Sequence, residues 1–114
     1  MRNGQQYRDS LRDGRTVYVY GERVPDVTSH PAFAGIVDTM AGLYDFASDP
    51  ANGMVHANPD TGPEGNKSFL IPRTPDDLRA RRDAIRAWAR RSNGLIGRGP
   101  DHLVGSRVAG RAFW

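Results

Sequence analysis

A regular spacing of apolar residues over 31–48 predicts the most regular helix of the chain. Apolar side chains recur there at intervals of three and four, which places them on one helical face. Pro31 suits the first turn, where its missing N–H costs nothing, and the pair Asp49-Pro50 ends the helix. The predicted apolar face consists of Phe33, Ile36, Val37, Met40, Leu43, Tyr44 and Ala47.

A second helix is predicted over 74–92 from its start and stop signals. Thr74 is a good N-cap, Pro75 fits the first turn, and two aspartates follow where the helix dipole favours negative charge. The pair Asn93-Gly94 breaks the helix. The predicted apolar stripe consists of Leu78, Ile85, Trp88 and Ala89, with Arg79, Arg86 and Arg90 to one side of it and Arg82 at its border.

A short helix and a hairpin are predicted before residue 25. Residues 4–13 predict the helix, which Gly14 ends. The β-branched and aromatic run 16–20 predicts a strand, Gly21 predicts a turn, and 22–24 predicts a short returning segment. Strand alternation places Tyr18 and Tyr20 on one face, and we expect both in the core. Trp88 is also expected in the core.

The middle of the chain predicts a long loop followed by a strand. Residues 51–66 are rich in glycine, proline, asparagine and aspartate, with one short extended piece expected near Met54–His56. Residues 67–71 predict a strand that Pro72 ends. The chain is therefore predicted to be mainly α-helical, with a few short strands.

The charge of +3 on 114 residues comes almost entirely from arginine, since Lys67 is the only lysine. Acidic residues are interspersed with the arginines, which favours a solvated surface and argues against nucleic-acid binding. A stand-alone basic helical module that binds protein or nucleic acid stays open as the alternative function. The chain has no cysteine, no signal-peptide pattern and no apolar run of about 18 residues, so we expect a cytoplasmic protein without a membrane partner.

Two residues near the C-terminal end form the most specific candidate site. Arg98 stands four residues before His102, so both are expected at the entrance of a possible helix from Pro100. One cation and one titratable base could then face the same cavity. The glycine-rich stretch before Pro100 is a weak phosphate signal, because it matches no phosphate-binding motif, and the three histidines lack metal-ligand spacing, so no metal site is predicted.

Read in order, these segments resemble the N-terminal region of the 4-hydroxyphenylacetate 3-hydroxylase oxygenases and their chlorophenol monooxygenase relatives. The similarity runs collinearly across about 100 residues. Its longest and most specific stretch is VYVYGERVPDVTSHPAF at 17–33. The other matching stretches are Tyr7–Leu11, Asp13–Arg15, Leu43–Asp45, DDLRARRDAIRAW at 76–88 and GLIGRGPDH at 94–102.

The resemblance implies an acyl-CoA-dehydrogenase-like architecture, in which an N-terminal helical domain precedes a β-barrel and a C-terminal helical bundle. It implies an oxygenase component that uses reduced flavin, FADH2 or FMNH2, to hydroxylate a phenolic substrate ortho to its OH. A separate flavin reductase is the implied partner, and the full-length family is expected to be homo-oligomeric, as tetramers. Because family members are several times longer, this chain is expected to be inactive alone and to bind no flavin tightly.

The family's substrate motif, Gly-Arg-x-Pro-Asp followed by Tyr or His, falls on 97–102. The resemblance implies a role for Arg98 in lowering the pKa of the phenol and a role for His102 in accepting its proton. Some relatives carry tyrosine at the position of His102, which would donate or accept a hydrogen bond rather than act as a base. The implied catalytic residues are Arg98 and His102. The implied substrate-binding residues are Arg98, Gly99, Pro100, Asp101 and His102.

The domain prediction divides the chain after His102. Residues 1–102 are expected to be the family's N-terminal helical domain in part, and 103–114 a divergent tail. The tail sequence LVGSRVAGRAFW does not resemble the family, and a truncated or frameshifted reading frame is therefore expected.

Overall fold

A computed structural model describes residues 1–57, 62 and 64–94 of the chain. The chain divides into two compact units, an N-terminal unit of Arg2–Ser48 and a second unit that begins at Asp49. Each unit has its own short antiparallel hairpin and at least one helix. The helices carry most of the regular structure, in agreement with a mainly α fold with a few short strands.

The first helix, α1, spans Gly4–Ser10. Asn3 caps it: its side chain accepts from Gln6 N, and the Gln6 side chain accepts in return from Asn3 N, both at 2.9 Å. The helix ends earlier than the predicted 4–13, because Leu11 N donates to Arg8 O in a tighter turn.

The second helix, α2, spans Pro31–Ser48 and confirms the predicted bounds. Its buried residues include Val37 and Leu43 from the predicted apolar face. Ile36, which the pattern places on the same face, is 53% exposed, so that part of the prediction is wrong. Ala47, also on the predicted face, is fully buried, and the buried face further includes Ala41, which the sequence pattern does not predict.

Strands β1 (Val17–Val19) and β2 (Glu22–Val24) form the predicted hairpin. The turn consists of Tyr20 and Gly21, with φ of 51° and 84°, so Tyr20 belongs to the turn and not to the strand. The expectation that both tyrosines lie in the core is wrong, since Tyr18 is 64% exposed and Tyr20 fully exposed. The side that is buried carries Val24, which is 5% exposed.

The second unit opens with a 3₁₀ turn, Pro50–Asn52, and a second hairpin of β3 (Val55–Ala57) and β4 (Glu64–Asn66). The extended piece predicted near Met54–His56 corresponds to β3. The sequence does not predict its partner β4, because Glu-Gly-Asn contains none of the β-branched or aromatic residues typical of strands.

The strand predicted over 67–71 is wrong. Lys67–Phe69 form a 3₁₀ helix, because the Asn66 side chain accepts from Ser68 N at 2.9 Å and from Ser68 Oγ at 2.5 Å. Both polar side chains are buried, and such local hydrogen bonds compete with strand pairing. The apolar run after Ser68 favours the strand prediction, but the cap decides the local structure.

The third helix, α3, spans Pro75–Arg91 and confirms the predicted helix and its start. Thr74 Oγ1 accepts from Asp77 N at 3.1 Å, and Asp77 Oδ2 accepts from Thr74 N at 3.0 Å. Trp88 is 8% exposed, as its predicted core position requires, whereas Leu78 is 58% exposed. No helix within the described ranges is long and apolar enough to cross a bilayer.

Candidate functional site

The end of α3 leads directly into the segment that carries the predicted site. Ser92 N donates to Trp88 O at 3.0 Å, and Gly94 N donates to Ala89 O at 2.8 Å. Asn93 and Gly94 adopt left-handed backbone with φ of 53° and 69°, which turns the chain away from the helix axis. The direction in which the chain leaves α3 is therefore fixed as far as Gly94.

The predicted site residues themselves lie outside the described residues. These are Arg98, Gly99, Pro100, Asp101 and His102, together with the possible helix from Pro100 and the tail 103–114. Their predicted convergence on one cavity therefore stays a prediction, as does the domain boundary after His102.

The last turns of α3 are packed against an aromatic residue of the same unit. Phe69 and Trp88 meet edge to face, with ring centroids 6.2 Å apart and an interplanar angle of 86°. Trp88 is nearly buried, and its Nε1 has no hydrogen-bond acceptor in the described part of the chain. This aromatic pair holds the C-terminal end of α3 in place, shortly before the predicted site in the sequence.

The arginines of α3 differ in their partners. Arg79 pairs with Asp76 at 2.5 Å and Arg82 with Asp83 at 3.2 Å, and both pairs lie within the helix. Asp77 instead accepts from the backbone N–H groups of Arg73 and Thr74, and these hydrogen bonds lower its pKa, that from Arg73 most. Three arginines near the C-terminal end have no ion pair within the described ranges; they are Arg86, Arg90 and Arg91.

A surface cavity of about 280 Å³ lies in the N-terminal unit, between the end of α1 and the end of β2. Its floor is apolar and includes Leu11, Val24 and Pro25. Arg12 and Arg15 stand at its edge, and both guanidinium groups are already engaged by aspartates. Arg12 contacts Asp26 and Asp9 at 3.2 and 3.3 Å, and Arg15 holds Asp13 through two nitrogens at 2.5 and 2.7 Å.

These pairings change the acidity of the carboxyl groups. The Arg15 guanidinium donates to Asp13 and lowers the pKa of that carboxyl to about 2. The pKa of Asp26 is lowered chiefly by the Thr28 hydroxyl, then by the Thr28 N–H, with Arg12 contributing less. Both aspartates therefore stay ionised at neutral pH and neutralise the cations at this cavity.

A second cavity of about 260 Å³ lies within the second unit, beside the middle of α3. Its lining includes Met54 and three alanines of α3, and Lys67 and Asp83 bring opposite charges to it. The three alanines are Ala80, Ala84 and Ala87.

Neither cavity fits a flavin. Both are smaller than the range of about 300–1,000 Å³ that is typical of ligand pockets. A flavin dinucleotide also carries phosphates that need uncommitted donors, whereas the arginines of the first cavity are paired and the second cavity pairs one lysine with one aspartate. Neither of these two cavities is therefore assigned to flavin, and no chemical step is derived through flavin.

The described histidines have structural roles. His30 precedes α2, and its Nδ1 accepts from Ala32 N at 3.1 Å while its carbonyl accepts from Ala34 N at 2.8 Å. His56 Nδ1 lies 2.9 Å from Ala57 O. Within the described ranges, no three His, Cys, Asp or Glu side chains are arranged to hold a metal ion.

One aromatic contact is not predicted by the sequence reasoning. Tyr7 of α1 stacks on Tyr44 of α2, with centroids 5.0 Å apart, and burial followed by the charge of Tyr44 raises the pKa of Tyr7. Tyr44 lies on the predicted apolar face of its helix, but the sequence pattern does not predict its contact with Tyr7. Arg15 partly offsets the rise.

Comparisons with known proteins cover almost the whole chain. The profile of the family described as 4-hydroxyphenylacetate 3-hydroxylase N terminal matches residues 3–110. Over 102 residues the chain is 47% identical to the 4-hydroxyphenylacetate 3-monooxygenase oxygenase component of Escherichia coli, and the match covers 87% of this chain and 20% of that protein. It is 48% identical, with the same coverage of both chains, to the 4-nitrophenol 2-monooxygenase oxygenase component of a Rhodococcus species.

A solved structure agrees with the sequence matches. The oxygenase component of 4-hydroxyphenylacetate 3-monooxygenase, complexed with FAD and 4-hydroxyphenylacetate, superposes with a TM-score of 0.80 at 40% identity. The superposition covers 90% of this chain and 22% of that one. The chain thus spans about a fifth of the length of the curated relatives that it matches. On the profile match, the shared sequence and the shared fold, the chain belongs to the 4-hydroxyphenylacetate 3-hydroxylase family and corresponds to its N-terminal region.

Proposed function

We propose that this chain supplies the N-terminal part of a two-component monooxygenase that uses reduced flavin to hydroxylate a phenol ortho to its hydroxyl group. The observation that supports this most is the 40% identity and TM-score of 0.80 with an oxygenase component complexed with FAD and 4-hydroxyphenylacetate. An acyl-CoA-dehydrogenase-like architecture, a flavin reductase partner and a tetrameric full-length enzyme belong to the same proposal. Reduced flavin, when bound by the complete enzyme, would activate dioxygen, so that one oxygen atom enters the phenol ring and the other leaves as water.

Arg98 is proposed to bind the phenol oxygen and favour its ionised form. A free phenol has a pKa near 10, so about one molecule in a thousand is phenolate at pH 7. A neighbouring cation lowers such a pKa by roughly 1–3 units, and a shift of about two units raises the phenolate fraction to about a tenth. Since phenolate is richer in electrons at its ortho carbon, this ionisation prepares the ring for electrophilic hydroxylation.

His102 is proposed to accept the phenol proton. Imidazole has a reference pKa near 6.5, so it is mostly neutral and able to accept a proton at pH 7. Gly99, Pro100 and Asp101 are proposed to form the corner that brings the two side chains to one side. The substitution of tyrosine in some relatives makes His102 the less general of the two roles.

The fixed exit of α3 supports this proposal. Gly94 is anchored to α3 by its hydrogen bond to Ala89 O, and the Phe69–Trp88 contact holds the helix end. Arg98 follows Gly94 by four residues, and four residues of fully extended chain span at most about 14 Å. The Cα of Arg98 must therefore lie within about 14 Å of the Cα of Gly94, which is fixed at the end of α3. A site built close to a rigid element holds its geometry better than one on a long loop.

The substrate is proposed to be a phenol with a polar group para to the hydroxyl. The E. coli relative is named for 4-hydroxyphenylacetate and the Rhodococcus relative for 4-nitrophenol, and both compounds have that pattern. The identities to the two relatives are 47% and 48%, so sequence identity alone does not choose between them.

The proposal is tested by comparing the isolated chain with a chimera. In the chimera, residues 1–102 replace the matching region of the E. coli oxygenase component, and both proteins receive a flavin reductase, FAD, NADH and 4-hydroxyphenylacetate in air-saturated buffer. We expect ortho-hydroxylated product from the chimera and none from the isolated chain. Turnover by the isolated chain would show that it is an enzyme by itself, and a folded but inactive chimera would contradict the proposed role.

The alternative of a basic binding module has one supporting observation: Arg86, Arg90 and Arg91 at the end of α3 have no ion pair within the described ranges. Cations are stabilised at a helix C-terminus by the helix dipole, so a partner is not needed to explain them. Retention of the chain on a polyanion at low salt, lost as salt rises, would support the module; absence of retention removes its nucleic-acid form.

A further inference from the structure

The turn of the β1–β2 hairpin has a residue that its backbone does not favour. Tyr20 and Gly21 both have positive φ, 51° and 84°, which is the pattern of a type I′ turn. The first position of this turn favours Asn, Asp or Gly, because other residues crowd their Cβ against the backbone there. A tyrosine at this position therefore makes the isolated hairpin less stable than an asparagine would.

The same residue contributes nothing to the packing of the described chain. Tyr20 is fully exposed, and Tyr18, which lies opposite Arg23 on the outer side of the hairpin, is 64% exposed. Arg23 is exposed as well. None of these three side chains makes a hydrogen bond, ion pair or ring contact within the part of the chain that the structure describes.

Tyrosine and arginine are among the residue types most enriched at energetically important positions of protein interfaces. A tyrosine ring brings a large contact area at a small cost in side-chain entropy and keeps a polar hydroxyl for a hydrogen bond. We propose that the hairpin face, defined as Tyr18, Tyr20 and Arg23, is a protein-docking surface whose partner is the remaining four-fifths of a family oxygenase.

The size of the hairpin face argues for this partner over a second copy of the chain. Two tyrosines bury about 300–500 Å² between them, whereas a stable complex needs about 800 Å² on each partner. Two hairpin faces alone would therefore make too small a contact. The chain spans only about a fifth of the length of its relatives. The other four-fifths of such an oxygenase is large enough to contact the hairpin face together with further surface of this chain.

The hairpin face specifies the chemistry of the surface that receives it. Two aromatic rings need apolar walls, the tyrosine hydroxyls need carbonyl or carboxylate acceptors, and Arg23 needs a carboxylate or a backbone carbonyl at the edge. This proposal rests on the proposed function only in taking the rest of a family oxygenase as the partner.

The test uses the opposite effects of one substitution in two proteins. Tyr20→Asn creates an Asn-Gly turn and removes the ring, so it should raise the melting temperature of the isolated chain and lower that of the chimera described above. Tyr20→Phe keeps both the ring and the unfavoured backbone, so it should leave the melting temperature of the isolated chain within about a degree and lower that of the chimera by less than Tyr20→Asn does, through the lost hydroxyl alone. Shifts of Tyr20→Asn in the same direction in both proteins would overturn the proposal.

A binding measurement checks the same point in trans. The full 114-residue chain is titrated into the E. coli component that lacks the matching region, and we expect Tyr20→Asn to weaken the affinity at least tenfold and Tyr20→Phe to weaken it less than Tyr20→Asn does. Equal affinity of Tyr20→Asn and the unsubstituted chain would contradict docking, as would dimers of the isolated chain that depend on Tyr20. An active chimera without the opposite shifts would refute docking alone, and opposite shifts in an inactive chimera would refute hydroxylation alone.

Discussion

At the scale of single residues, Gly4 shows how α1 is held against α2. Gly4 N donates to Asp45 Oδ1 at 2.8 Å, and a Cβ on Gly4 would lie 2.5 Å from Asp45 Oδ2 and 2.6 Å from Ala41 O. A backbone carbonyl cannot move as a flexible side chain can. Close approach of the two helices at this point therefore requires glycine.

We predict that Gly4→Ala lowers the free energy of unfolding by about 1–3 kcal/mol, because the added methyl group forces α1 away from α2. Gly35→Ala is the matched control, since Gly35 lies inside α2 and a Cβ added there would meet nothing within 4 Å. It should raise the free energy of unfolding by about 0.5–1 kcal/mol through helix propensity. Urea unfolding measures both, and changes of the same sign would contradict the packing described.

Three aspartates predict a loss of stability in acid. The pKa of Asp13 is about 2, and those of Asp26 and Asp77 are also lowered by hydrogen bonds to the charged form. A group with a lowered folded pKa contributes stability above its unfolded pKa, near 3.9 for aspartate, and loses it as pH falls through the folded value.

We therefore expect the melting temperature to fall between about pH 4 and pH 2, measured by circular dichroism. Asp77→Asn keeps an acceptor for the backbone N–H groups of Arg73 and Thr74 but removes the charge, so its melting temperature should depend less on pH over this interval. An identical pH dependence in this variant would show that Asp77 does not contribute.

At the scale of elements, α3 depends on its first turn. Thr74→Ala removes the acceptor of Asp77 N and should cost about 1 kcal/mol of unfolding free energy. Thr39→Ala is the control in α2, where Thr39 Oγ1 only donates to Gly35 O on an exposed surface. That substitution should be neutral or stabilise through helix propensity, and an equal loss in both variants would argue against the cap.

The sequence is sufficient to predict the elements whose signals are local. The bounds of α2 and α3 follow from Pro31, Thr74 and the breaking pairs, and the β1–β2 hairpin follows from its β-branched run and glycine. The strand predicted at 67–71 fails because the buried Asn66–Ser68 hydrogen bonds override the apolar run. Such competition depends on burial, which a sequence pattern does not report.

Even in the helices and the hairpin that the sequence predicts correctly, it predicts poorly which side chains are buried. Ile36, Leu78 and Tyr18 have the spacing of core residues and are more than half exposed. Alternation and helical spacing identify a face, but only the rest of the molecule determines whether something covers it. The residues predicted as the site, at 98–102, take their roles from the family motif, and the fold contributes the rigid α3 exit before them.

At the scale of the whole molecule, this chain spans about a fifth of the length of its relatives, and neither cavity described above fits a flavin. The proposed function divides the enzyme accordingly. In this proposal, the N-terminal part contributes Arg98 and His102 to the phenol, and the rest of the enzyme contributes the flavin-binding walls. This division predicts that substitutions at Arg98 change the ionisation of the phenol without preventing folding of the chimera.

The most direct test of that claim is the pH dependence of kcat for the chimera with and without Arg98→Gln, because kcat reports ionisations in the enzyme–substrate complex. With Arg98 present, the rise in activity should occur about 1–3 pH units below the pKa of the free phenol, because the guanidinium favours phenolate. With Arg98→Gln, the rise should move up towards the free phenol's pKa, with at least tenfold lower activity at pH 7 and recovery at higher pH. An unchanged pH profile and unchanged activity at pH 7 in Arg98→Gln would contradict the proposed role of Arg98.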